Sequence, residues 1–309
     1  MKNKSTGSVA RNFHEGTRSE YLAQYIFSAF GTSIPVPHPE DSGLDLFCTL
    51  GEVVGKRLFV RNPYYVQIKS GKSNMVFTDP NSIKWLYDLR SPLFLCFIDK
   101  KAHTVEIYQT HRVQHHFARK KIKSVTLRPD IEPADSTRLE SNVSVLSIDL
   151  GKPILQFQVN DLLSDSWKKN AFAVLNFWIK LSQTNIDQRE LGFPFMRTVK
   201  HYATNAPPGD HMIPYIGDFG DMSDQMIAKY KDNLFRLWSL LIMQTTLSGD
   251  REKFIKLSDL IGYNVKLVDD KYSAGLAFLN MAINSGAKHF GLPNKIKFTV
   301  AKGGKKSEG

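Results

Sequence analysis

The chain has 309 residues, 42% hydrophobic and 23% charged, enough to bury one large core or two ordinary ones. Two cysteines exclude a disulfide scaffold and a four-cysteine zinc site, and no apolar run reaches the ~18–20 residues of a membrane span. Lys and Arg number 41 against 30 acidic residues, a net charge of +11 that favours a polyanionic partner such as nucleic acid. A soluble, cytoplasmic globular protein with no membrane partner is the expectation.

In chain order, apolar residues at three- and four-residue spacing predict a helix over 17–30, with Gly31 as its stop. Three prolines between 35 and 39 predict an extended loop. Strand-like runs follow at 44–50 and 64–70, and Gly51, Gly55 and Asn62-Pro63 read as the connection of a hairpin. A short helix is expected around Trp85. The continuous apolar run 92–98 suits a strand covered on both faces, with 104–109 as its neighbour. Two more strands are expected at 143–150 and 154–159. Helical spacing then recurs over 161–182, 223–248 and 273–285, and 190–222 reads as a long irregular segment. The expectation is an α/β domain over 1–160 and a mainly helical domain over 161–309.

Four residues stand out in the first 70. Glu20 lies on the first helix, Asp45 heads the first strand, and Gln67 and Lys69 share one face of the second. A carboxylate and an amide oxygen suit a hard cation such as Mg²⁺. Such a cation activates water against a phosphodiester, and a nearby lysine orients that water or stabilises developing negative charge. Glu20 has a rival reading, because Thr17-Arg18-Ser19-Glu20 fits a capping box. The order of helix acid, strand acid about 25 residues on, and Gln-x-Lys about 22 residues later carries the argument.

With Gly16 to Glu20, Gly43 to Leu46, Val66 to Ser70, Trp85, and a Pro-led apolar strand from Pro92 to Asp99, the sequence resembles the PD-(D/E)XK nuclease superfamily. The variant is the one in which Gln replaces the acid before the lysine, as in Mrr-type restriction enzymes. Relatives occur in restriction and other anti-phage systems, including nucleases associated with short Argonautes. The resemblance implies a restriction-endonuclease-like mixed sheet flanked by helices, and a metal-dependent endonuclease of DNA, with RNA left open. It implies Mg²⁺, with Mn²⁺ able to substitute, held by Asp45, Gln67, the Ile68 carbonyl and Glu20, with Lys69 acting on the attacking water. The alternative from another class is a non-catalytic nucleic-acid-binding or regulatory subunit on the same fold.

The basic residues Arg112, Arg119, Lys120, Lys121 and Lys123 are candidate backbone contacts. His111, His115 and His116 lack acidic or cysteine companions and read as surface rather than metal ligands. Pro129-Asp130 reads as a loop, Cys48 and Cys96 as packing residues, and Asp218-Phe219-Gly220 as a turn. The helical half is expected to bind a partner protein, form homo-oligomers or gate activity.

Overall fold

A computed structural model describes residues 11–36, 43–116, 122–133, 144–193, 195–199, 203–208, 212–216, 223–266 and 274–293. Ala23, Ile26, Phe27 and Phe30 give the first helix, α1 (Arg11–Ser28), one buried apolar face. This face packs on a mixed sheet formed by β1 (Gly31–Pro35), β2 (Leu46–Val54), β3 (Arg57–Lys69), β5 (Leu93–Asp99), β6 (Thr104–Gln109) and β9 (Leu155–Gln158). These six strands lie in the order β1-β2-β3-β5-β6-β9, all neighbours antiparallel except the parallel pair β3–β5. The parallel pairing requires a crossover, and the helix α2 (Pro80–Asp88) provides it. Asp79 caps α2 by accepting the Ser82 amide at 2.8 Å, and Pro80 opens the first turn.

A three-stranded sheet, β4 (Met75–Phe77), β7 (Ser124–Pro129) and β8 (Val145–Gly151), covers the other face of the large sheet together with α2 and the single turn α3 (Val113–His116). The continuous apolar run of β5 now has its explanation. Phe94, Cys96 and Ile98 face α1, while Leu93, Leu95 and Phe97 face α2 and the small sheet. After a 3₁₀ turn (Val159–Leu163) comes α4 (Asp165–Glu190), whose Ala171, Val174, Leu175 and Trp178 complete the α1 side of the core. At its far end Arg189 is buried and donates to the carbonyls of Tyr87 and Leu89 and to Gln114.

The helix α4 therefore belongs to the first compact unit, which comprises 1–189 and 194–223, whereas the sequence placed it beyond a boundary at residue 160. The segment 190–222, read as irregular, contains an antiparallel hairpin, β10 (Phe195–Val199) with β11 (Met212–Ile216). The second unit, 190–193 and 224–309, holds α5 (Asp224–Leu247), α6 (Arg251–Lys266) and α7 (Ala274–His289) around Phe235, Ile242, Phe254, Ile261, Leu279 and Ile283. Leu237, Leu240 and Leu247 of α5 remain exposed. Among the described residues no helix is long and apolar enough to cross a membrane.

Candidate functional site

The chain enters β2 by crossing the plane of the sheet. Leu44 packs against the α2 side and Leu46 against the α1 side, so Asp45 stands at the line between them. Gly43 makes this entry possible. Its φ of +69° is a left-handed conformation, and a Cβ there would stand 3.2 Å from the Trp85 ring. The Gly-x-Asp and tryptophan signals of the sequence are thus one physical feature.

The strand β3 extends beyond the point where β2 begins, and the amide of Ile68 donates to the Asp45 carboxylate at 2.5 Å. The Asp45 amide donates to the Val66 carbonyl, and its own carbonyl accepts from Val36. A carboxylate has about four acceptor positions, and the bond to Ile68 uses one of them.

Val66 and Ile68 point into the α1 core. Gln67 and Lys69 therefore share the opposite face, in register with Leu95 and Phe97 of β5. Lys69 is exposed. Gln67 is only 8% exposed, and its Oε1 is buried with no hydrogen-bond partner among the described residues. A desolvated amide oxygen without a donor costs about 1–3 kcal/mol, and such orphans in native structures call for an explanation. The position, at the carboxyl end of the parallel pair β3–β5, is where open α/β sheets place ligands.

Glu20 lies two turns before Phe27 on the packed face of α1 and is half-buried. From Phe30 back to Glu20 the helix rises about 15 Å. The strand β1, leaving the same turn, runs about 13 Å from Gly31 to Pro35, opposite Leu46. Glu20 therefore stands on the α1 side of the sheet, the face opposite Gln67 and Lys69. The capping reading is corrected: α1 begins at Arg11, so Thr17 to Glu20 lie inside the helix and Thr17 is not its cap.

Beside this site lies a second polar cluster. Lys72, just beyond β3, contacts Glu106 at 2.6 Å and Asp130 at 2.7 Å, and sits over the Tyr108 ring. Tyr108 donates to Asp130 at 2.6 Å and approaches Glu106 at 3.2 Å. Burial alone raises the Asp130 carboxyl, but hydrogen bonds from Lys72 and Tyr108 outweigh it and hold the group below its ordinary value. Burial pushes the Tyr108 phenol up, reinforced by Asp130 and Glu106. Sequence spacing does not join these residues, since Lys72 and Asp130 stand 58 positions apart. The Pro129-Asp130 loop thus ends β7, with Asp130 at φ +60°.

Among the basic candidates, Lys123 is exposed ahead of β7, and half-buried Arg112 opens the turn into α3. Arg119, Lys120 and Lys121 lie outside the described residues, as does Asp218-Phe219-Gly220. Arg128 in the same stretch is committed to Asp149 through two bonds of 2.6 and 3.0 Å.

His111 is buried rather than on the surface. Its Nε2 stands 2.9 Å from the Thr198 hydroxyl, its Nδ1 faces Gln109 Oε1, and its ring is 5.2 Å from that of Trp178. Burial, aided by the Arg112 charge, drives its basicity well below the ordinary value and keeps it neutral. The side chains of His115 and His116 are outside the described set. Cys48 and Cys96 are buried, and burial pushes the Cys48 thiol up to about 12, so neither is a ready nucleophile.

Among the described residues no group of three or more His, Cys, Asp or Glu side chains is placed to hold a metal ion. The donor set at the β3 end is of a different kind: one carboxylate, one buried amide oxygen and a backbone carbonyl, while Glu20 stands on the other face of the sheet. Oxygen donors of this type suit a hard divalent cation that keeps several of its waters. The chain matches no family model, no curated protein and no solved structure.

Proposed function

We propose that the first unit is a metal-dependent nuclease with a restriction-endonuclease-like fold, hydrolysing DNA phosphodiesters. The observation that carries this reading is the buried, unpartnered Gln67 Oε1 at the carboxyl end of β3, one residue from the Asp45–Ile68 bond and two from an exposed lysine. Asp45, Gln67 and the Ile68 carbonyl would hold Mg²⁺, or Mn²⁺ in its place, and Glu20, on the α1 side of the sheet, would contribute through a water. When bound, the cation polarises a phosphoryl oxygen and lowers the pKa of a water. Lys69, with its ammonium in solvent, orients the attacking water and offsets the negative charge on the phosphoryl oxygens. The water oxygen forms the new bond to phosphorus, and the bond to the departing sugar oxygen breaks.

The resemblance to restriction and anti-phage nucleases favours DNA over RNA and a role in defence. The exposed leucines of α5 support association of the second unit with a partner protein or another copy. One observation favours the rival reading of a non-catalytic nucleic-acid-binding subunit: the Asp45 carboxylate already secures the end of β3 by capping Ile68.

Incubation with plasmid DNA, single-stranded DNA and RNA in Mg²⁺, Mn²⁺ or EDTA separates the two. The nuclease reading expects metal-dependent cleavage that is lost in both Asp45→Ala and Lys69→Ala. Binding without cleavage under every condition would transfer the assignment to the rival.

A further inference from the structure

The β2–β3 hairpin runs past the rest of its sheet. Pairing of β1 with β2 stops at Gly31↔Leu50, and pairing of β5 with β3 begins only at Tyr65↔Leu93. Between these limits the two strands pair only with each other, through Gly51↔Val60, Glu52↔Phe59 and Val54↔Arg57. Gly55, at φ +63°, and Lys56 form the two-residue turn. Glu52, Val54 and every residue from Lys56 to Arg61 are exposed, so both faces of this ribbon carry exposed side chains. A two-stranded ribbon with no cover is marginal by itself in water.

Its side chains sort by face. Arg57, Phe59 and Arg61 share one face with Glu52 and Val54, and Leu58 and Val60 occupy the other. Arg61 is paired with Glu52 at 3.1 Å. Lys56 and Arg57, at the tip, have no ion partner among the described residues. The tip thus carries two uncommitted cations beside an exposed aromatic ring.

We propose that this ribbon is an arm that enters the major groove of double-stranded DNA, with Lys56 and Arg57 on phosphates and Phe59 and Val60 against the groove wall. Charge complementarity selects a polyanion, and shape selects the duplex. A B-form major groove about 12 Å wide and 8.5 Å deep admits a two-stranded ribbon. The deep, narrow major groove of A-form RNA does not. From Asp45 to Val54 the strand covers about 30 Å, so the tip holds the duplex about nine base pairs from the candidate cleavage site. The inference rests on the nuclease reading for the identity of the polyanion, and its test reads binding rather than cleavage.

Fluorescence anisotropy of the full chain, in EDTA so that no cleavage occurs, would use a 30-base-pair duplex, a 6-base-pair duplex and a double-stranded RNA as probes. Combined Lys56→Glu and Arg57→Glu substitution is expected to weaken binding to the long DNA about tenfold or more, and to flatten its salt dependence by about two phosphate contacts. The short DNA and the RNA are expected to bind at least tenfold more weakly than the long DNA. If the double variant shows a lowered Tm, Arg57→Gln alone removes one charge and should flatten the salt slope by about one contact.

Unchanged affinity and salt slope in these variants would overturn the arm. So would a ribbon whose substitution leaves DNA binding intact but abolishes self-association in sedimentation, which would assign it to a second copy of the chain. Arm-dependent binding without any cleavage would sink the nuclease reading and leave the arm standing. Metal-dependent cleavage indifferent to arm charge would do the reverse.

Discussion

Two polar clusters occupy the same region of the large sheet, about two strand spacings apart. One, around Lys72, Glu106, Tyr108 and Asp130, is fully paired: two carboxylates, one ammonium and one phenol satisfy each other. The other, around Asp45, Gln67 and Lys69, is left open, with an orphaned amide oxygen inside and a lysine in solvent. Conventional indicators such as short ion pairs and shifted basicity point to the first cluster. The physical reading points to the second. A saturated network has spent its hydrogen-bonding capacity on the fold, whereas an unsatisfied one keeps it for a ligand.

The largest expected effect tests that division of labour directly. Asp45→Ala and Lys69→Ala should each lower the cleavage rate by about 10²-fold or more, while Lys72→Met should stay within a few-fold of the parent. A cleavage gel in which Lys72→Met is the dead enzyme would exchange the roles of the clusters.

Stability should show the opposite pattern. Lys72→Met leaves Glu106 and Asp130 facing each other and should cost about 1–2 kcal/mol in urea unfolding. The figure is below that for a fully buried pair because the Lys72 side chain is 37% exposed. Lys69→Ala should cost less than about 0.5 kcal/mol. Equal losses in the two variants would erase the contrast.

The paired cluster also has a pH signature. Its hydrogen bonds hold Asp130 below its ordinary value of 3.8, so its contribution is present above that value and lost as pH falls through the folded-state value. Burial by itself lowers Lys72, but its two carboxylates outweigh this and raise it above 10.5. Its contribution is therefore complete below 10.5 and lost as pH rises through the higher folded-state value. The stability gap between parent and Lys72→Met should thus be widest between these limits and narrow at both ends. A gap independent of pH would mean that Lys72 acts by packing alone.

A small gain in stability is the most telling. Gln67→Leu removes the orphaned oxygen and should stabilise the chain by about 0.5–1 kcal/mol while abolishing cleavage. A loss of stability would show that the amide has a structural partner.

The open cluster was legible in the sequence because each of its parts is local. Alternation in Val66 to Lys69 assigns faces, and Gly43 with Asp45 marks a strand entry. The closed cluster was not, since Lys72 follows β3, Glu106 lies in β6 and Asp130 follows β7, and no period connects them. Nor does the sequence show that Gln67 is left without a donor, which depends on where β2 begins against β3. The arm was hidden by its own turn-formers: Gly51, Gly55 and Asn62-Pro63 read as a connection, yet Gly51 and Pro63 are paired, Asn62 is a bulge, and only Gly55 and Lys56 form the turn. The hairpin of β10 and β11 was masked in the same way by surrounding Gly, Pro and Asp. The first helix starts earlier than its apolar stripe, and this is what ruled out Glu20 as a cap.

The place of α4 in the chain has a consequence for synthesis. Everything that forms the open cluster has left the ribosome by about residue 100, yet Trp178 and its neighbours on α4 seal the opposite side of that sheet much later. Until then α1 alone covers that side of the sheet, and the part of the core that Ala171, Val174, Leu175 and Trp178 complete stays open. A fragment ending at residue 160, where composition alone suggests a natural cut, would retain every candidate site residue and still expose the sheet, so it should precipitate. One ending after the second hairpin, near residue 223, should stay in solution.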